Sequence, residues 1–508
     1  MKRPAAAALA TPAVCLGLAL LSFFQFPGHT WLQQDSQIYV PILEHERDPA
    51  VLRNDILVER SQVAYTLYDE IAIGLRDATG LGFREVLAGE QIATRALGIW
   101  GLVMLAEALG LAWMPAVAAA AICALGALIK GPEVLTFEYE PTPRAFAVPL
   151  LICGMGLAAR RRYLAASVAA GAAILFHAPT ALPVLCVSLL LARRVRPLVL
   201  LPLAGASAIL LLAAHGQHTH QDLFAAVTPP QEMLQHLRTA YVWVSTWPAA
   251  IVLRHLLIFA ALAAACARLW RAMTAELRLF LLVLPALGLL SMPLSRLLLE
   301  HWKWGLVPQV QPLRALLFTT LAMQLATAAA GFSAKSRWEK GLWFILAYWP
   351  PCQSVLAVGL AVVTVVSPIA VLAAFFLIPT IGHVTNYPRL HTPELAQVSA
   401  WARANTPQDA VFLFPDEGHG LAPGIFRSEA LRAVYVDWKG GGQVNYLRDF
   451  GEDWWFRWQQ TVARGYRPGD LGRYSGLGVN YVVLRRPIGD SPVFENKGLF
   501  VYSCTAQR

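Results

Sequence analysis

Charge is what this chain has least of. Only 14% of its 508 residues are Asp, Glu, Lys or Arg, against roughly a quarter in soluble domains. Cysteine pairing is missing as well. The seven cysteines include no C-x-x-C pair, and all but Cys504 lie in apolar segments. That excludes a disulfide framework and a cysteine zinc site, and leaves small buried hydrophobes. No strand–GxxxxGK–helix frame occurs, which removes the phosphate loop, and no tandem repeat is visible. The net charge of +9 invites a nucleic-acid partner, but the basic residues sit in short loops between apolar runs, as membrane orientation requires.

Hydrophobic residues make up 56% of the chain, and its mean hydropathy is +0.49. Apolar runs approach the length of about 20 residues that crosses a bilayer, and they recur along most of the sequence. Spans are expected at 9–27, 95–111, 113–129, 145–159, 163–177, 178–192, 197–214, 248–266, 279–294, 312–331 and within 341–382. This is the pattern of a polytopic α-helical membrane protein with about 11 spans. The first run, following a basic start, lacks a small-x-small cleavage site and reads as an uncleaved span. Every second loop is basic: Lys2 and Arg3; Arg160–Arg162; Arg193, Arg194 and Arg196; Arg268, Arg271 and Arg278; Lys335, Arg337 and Lys340. These are expected to face the cytoplasm, with the tight turn near 112 the exception. The 341–382 stretch reads as one long or broken span, or as two short ones split near Pro350 and Pro351.

The transmembrane domain is expected over 1–382. Its 28–94 segment is a large external loop, in which Val63, Leu67, Ile71 and Leu75 mark an amphipathic interfacial helix and 38–43 a shorter one. Residues 383–508 have the composition of a soluble α/β domain. There "TPELAQVSAWARANTP" and "NYLRDFGEDWWFRWQQTVARG" read as helices, and "AVFLFP", "RAVYVDW", "NYVVLRR" and "GLFVYS" as strands.

Acids crowd where the chain leaves its first span: Asp35, Glu44, Glu46, Asp48 and Asp55. The next external loop holds Glu138, Glu140 and Arg144. Carboxylates converging at a membrane surface can act as general base, orient an acceptor or ligate a metal. Arg95, Arg144, Arg254 and Arg314 stand at the external ends of their spans, against the positive-inside bias. Guanidinium groups there suit a phosphate or pyrophosphate. Trp302, Trp304, Gln309 and Gln311 offer aromatic faces and amides for a sugar, His177 ends a span on the same side, and His215, His218, His220 and His236 fit no metal motif.

With "QQDSQIY" placing Asp35 just after span one and "TFEYEPTPR" placing Glu138 and Glu140 between spans three and four, the chain resembles the GT-C class of membrane glycosyltransferases. It is similar also to bacterial membrane proteins of that layout whose activity is itself an inference. The resemblance implies transfer of a sugar from a polyprenyl-phosphate donor to a glycan, lipid or protein acceptor at the outer face of a bacterial inner membrane. The C-terminal domain would then be periplasmic. It implies Asp35 as general base, with Glu138 or Glu140 assisting it or holding a divalent metal ion, if one is used. Arg144, Arg254 and Arg314 would take the phosphate, and His177, Gln311 and Trp304 would line the substrate. The Trp-Trp-Asp motif of oligosaccharyltransferases is reversed in "EDWWFRW", and no Asp-Glu pair follows span one as in protein mannosyltransferases. The alternatives are a carrier of lipid-linked sugars and a non-catalytic envelope-assembly protein, whose "VDWKGGGQVNY" would form a flexible binding loop.

Overall fold

The computed structural model describes residues 5–59, 66–192, 197–215, 224–352, 355–383, 390–446 and 448–504. Val63, His218, His220, Lys2, Arg3, Arg193, Arg194 and Arg196 fall outside them. The chain is a multi-pass helical membrane protein carrying a small mixed sheet near its C-terminus.

Four described stretches are long and apolar enough to cross a bilayer: Tyr163–Leu191, Ala249–Ala272, Ala275–His301 and Leu306–Ser333. The first is not one straight rod. At His177 the backbone leaves helical geometry (φ −157°, ψ 84°). Ala166, Ala170, Val184 and Ser188 line one apolar cavity together, whereas a straight helix would hold Ala166 and Ser188 about 33 Å apart. The chain therefore turns back at His177, whose Nδ1 accepts the Thr180 N–H (3.1 Å) and so caps the returning helix.

Helix Phe83–Ala108 starts well before the expected span, so Arg95 lies within it and not at its end. Helices Phe83–Ala108 and Pro143–Ala159 approach closely because a Cβ on Gly101 would sit 2.4 Å from the Ile152 carbonyl oxygen, and one on Gly156 would sit 2.6 Å from that of Gly101. Helix Leu316–Ser333 is buried along nearly its whole length and forms the centre of the bundle. Beyond it, Arg337–Cys352, Val355–Val366 and Val371–Gly382 are three short helices. A Tyr348–Thr364 hydroxyl contact (2.9 Å) folds the first two back on each other.

The sheet has strand order Ala433–Val434, Val411–Leu413, Tyr481–Leu484, Phe500–Ser503, Phe494–Glu495, parallel across the first three and antiparallel beyond. Helix Ala422–Ala430, absent from the sequence reading, connects the first parallel pair. Side chains alternate as strand geometry demands. Phe412, Val434, Val483 and Val501 join the core continuous with the membrane helices. Leu413, Ala433, Val482, Leu484 and Tyr502 face a second core built with Trp454, Trp458 and Leu234. Helix Pro393–Asn405 is capped by Thr392, whose hydroxyl accepts the Leu395 N–H (3.2 Å). Leu234 belongs to helix Pro229–Arg238, so a segment between membrane helices packs under this sheet.

Candidate active site

Asp35 precedes helix Ser36–Arg47, the short interfacial element. The start of this helix is held by Glu140. Its carboxylate accepts the Asp35 N–H (2.6 Å) and the Ser36 hydroxyl (3.0 Å), and also the Gln34 N–H. Four first-turn amides of a helix have no internal partner, and here a carboxylate from a distant loop supplies the acceptor. Burial and the neighbouring Asp35 carboxylate push Glu140 up to about 7, against the pull of Lys439 and of its own amide donors.

Asp35 itself meets Lys439, whose Nζ lies 2.6 Å from Oδ1. The aspartate side chain is 41% exposed and the lysine 16%, so the carboxylate opens to water while its cation is mostly covered. Burial works to raise the Asp35 carboxyl. Lys439, Arg144 and Arg314 outweigh it and hold Asp35 at about 2. Arg144, at the start of helix Pro143–Ala159, is anchored by Glu138 (2.7 Å) in a pair less than a tenth exposed. Arg95 ties down the same loop by donating to the Gly28 and Glu138 carbonyls.

On the other side, Gln311 breaks the helix before span Leu316–Ser333 with a left-handed backbone (φ 49°, ψ 64°). The next turn presents Arg314, whose Nη1 lies 3.2 Å from His177 Nε2. A neutral imidazole accepts at one nitrogen only. Yet N–H donors, Thr180 and Arg314, face both nitrogens of His177. Arg314 Nε is buried with no hydrogen-bond partner among the described residues. Gln311 donates to the Tyr446 hydroxyl (3.2 Å). Gln311 Oε1 is likewise buried with no hydrogen-bond partner among the described residues, so the turn holds one unpaired donor and one unpaired acceptor.

Asp35, Arg144, His177, Gln311 and Arg314 thus converge. Arg254 and Trp304 do not join them by any described contact. Arg254 lies 4.8 Å from the centre of the Trp349 ring. Trp304 stacks with Phe224 (centroids 6.4 Å) against a small separate cluster around Trp243. Of the Glu138 and Glu140 oxygens, Glu138 Oε1 accepts from Arg144 and the Leu135 N–H, and both Glu140 oxygens accept backbone amides. Among the described residues no group of three His, Cys, Asp or Glu could hold a metal ion.

Lys439, which the sequence places only in the binding loop of the non-catalytic alternative, lies here against Asp35. Its signal was the glycine-rich run after a strand, read as flexible. The run is instead a buried 3-10 helix, Gly440–Asn445. A Cβ on Gly441 would lie 2.3 Å from the Trp454 indole, so only glycine lets that ring pack there.

A family model described as a domain of unknown function (DUF6798) matches residues 393–461. No curated protein matches the chain. Among solved structures, the crystal structure of ArnT from Cupriavidus metallidurans in the apo state is 14% identical, covers 98% of each chain and has a TM-score of 0.47. Its form bound to undecaprenyl phosphate gives 12%, 98% of each chain and 0.37. The arabinofuranosyltransferase AftD from Mycobacteria gives 15% and 0.46, over 97% of this chain and 36% of that one. At TM-scores below one half these are likenesses of layout, and the site's own geometry decides what it can do.

Proposed function

We propose that the protein is a membrane glycosyltransferase that moves a sugar from a polyprenyl-phosphate donor to an acceptor at the outer face of a bacterial inner membrane. The observation that carries this is one water-accessible carboxylate, Asp35, set among Lys439, Arg144 and Arg314. Arg314 turns one buried N–H away from any described partner, and its other contact is a histidine nitrogen, not a carboxylate. Phosphate oxygens would supply what is lacking, and cations placed where charge develops on a leaving phosphate lower its barrier.

Asp35 would take the proton of the acceptor hydroxyl. Held at about 2, it is too weak a base for that, since useful bases have pKa values near the working pH. An arriving phosphate resolves the conflict. Its negative charge competes for the same three cations and raises the carboxylate. Base strength is thereby tied to donor occupancy, which protects the site from idle proton transfer. Glu138 and Glu140 act as positioning residues, for Arg144 and for the Asp35 backbone. His177 and Gln311 set the turn that carries Arg314.

The test is mass spectrometry of envelope glycans and polyprenyl-linked sugars in a deletion strain complemented with wild type or Asp35→Asn at matched protein levels. A modification restored by wild type and reduced at least 100-fold with Asp35→Asn is expected, in line with the roughly 10²–10⁴ contributed by a general base. Equal restoration by both would remove Asp35 from the chemistry.

A further inference from the structure

Asp35 and Lys439 are 404 residues apart in sequence, and three separate parts of the membrane domain fix the segment that brings them together. The first is Asp55, in the loop after span one. Its carboxylate accepts Arg427 Nε (2.6 Å) and the Val434 N–H (2.8 Å). Arg427 then donates Nη2 to Asp437 Oδ1 (2.6 Å), and Asp437 Oδ2 accepts the Gly440 N–H (3.1 Å). Lys439 stands inside that turn. Arg427 is 1% exposed and its two carboxylates 0% and 3%, so the bridge is sealed from water. The second part is helix Pro229–Arg238 with the turn after it: the Arg238 guanidinium lies 3.9 Å from the Trp438 ring centre, and Thr239 donates to Asn445 Oδ1 (2.7 Å). The third is Gln311, on Tyr446.

A buried ion triad of this kind contributes little net stability compared with apolar residues of the same volume. Such a triad does impose one geometry, because moving either partner leaves a buried charge alone. Here the geometry it imposes ends at the reacting carboxylate. We infer that docking of the C-terminal domain on the membrane loops completes the active centre: Lys439 is the counter-ion that the domain delivers to Asp35, and Arg427 is the residue that positions it. The inference rests on Asp35 being the reacting carboxylate, as proposed above. The matched stretch 393–461 contains both Arg427 and Lys439. In this reading it is a part of the catalytic site and not an appended binding module.

The experiment reads the protonation of Asp35 directly. Carbodiimide with an amine nucleophile labels a carboxyl group through its protonated form, and mass spectrometry of the whole protein in lipid nanodiscs then gives labelling against pH. The other groups facing Asp35 are Arg144, Arg314 and Glu140, with the Tyr39, Tyr139 and Tyr241 phenols; all stay the same in every variant. Wild-type Asp35 is expected to resist labelling across about pH 4 to 7. Lys439→Gln should bring its labelling midpoint up by about 1 to 2 pH units. Lys439→Arg should restore the wild-type curve, and Arg427→Gln should move the midpoint in the same direction as Lys439→Gln. Where Arg427→Gln does not fold, Asp437→Asn loosens the same turn and is read identically. No shift with Lys439→Gln, or a shift there with wild-type curves for both Arg427→Gln and Asp437→Asn, would overturn the inference. The labelling needs no sugar transfer, so an inactive wild type would count against the proposed function and leave this result standing.

Discussion

At the scale of the residue, Glu140 is the acceptor that holds the start of the helix carrying Asp35. It is 4% exposed and accepts from the Gln34 and Asp35 amides and the Ser36 hydroxyl. Glu140→Gln keeps the shape but turns one acceptor oxygen into an NH₂ that faces N–H donors. Leaving a buried donor unpaired costs about 1–3 kcal/mol, so a lower melting temperature and a reduced kcat are expected together. A variant with wild-type melting and wild-type kcat would show that the amide clasp is dispensable. The sequence offers Asp35 as a candidate because it is an acid directly after an apolar span. The donors on Glu140 were not legible, because backbone amides leave no mark in a sequence. Arg254 was misplaced for a related reason: an arginine near a span end signals depth, and only the fold reveals that its neighbour is Trp349.

At the scale of the element, the helices follow from composition while their breaks follow from contacts. Expected spans 163–177 and 178–192 correspond to two arms that meet at His177, where one imidazole caps the second arm and faces Arg314. The glycine run at 440–442 carries the opposite lesson, since three glycines suggest freedom and the structure shows an ordered 3-10 helix. Gly441→Ala puts a methyl 2.3 Å from Trp454, whereas Gly442→Ala meets nothing within 4 Å. Overpacking of this kind costs about 1–3 kcal/mol. Thermal unfolding should therefore separate the two variants, with Gly442→Ala near wild type and Gly441→Ala both less stable and shifted in Asp35 labelling. Equal melting temperatures would mean that the Trp454 contact does not hold the segment that bears Lys439.

At the scale of the whole molecule, the contacts decide sidedness relative to the loops. Asp55 and Asp35 belong to the segment after span one, and both bond to the C-terminal part. Arg53 and Asp409 add an ion pair across the same seam. These two parts therefore lie on one face of the membrane. Helix Leu316–Ser333 leaves that face near Arg314 and, at 18 residues, is about 27 Å long, so its end lies on the other face. With that helix crossing the bilayer, the expected arrangement has the three short helices between Arg337 and Gly382 return the chain in one net passage. Sequence alone left this open, since 42 apolar residues accommodate either one broken span or two. Cysteine labelling in sealed vesicles tests the arrangement, with Cys186 first replaced by serine because it is exposed. Asp77→Cys and Lys497→Cys, both exposed, should react with an impermeant maleimide from the same side, and Lys335→Cys only from the other. The same pairs read in inside-out vesicles should invert. Reaction of Lys497→Cys together with Lys335→Cys would detach the sheet domain from the loops, and with it Lys439 from Asp35, so the topology and the composition of the active centre stand or fall on one labelling pattern.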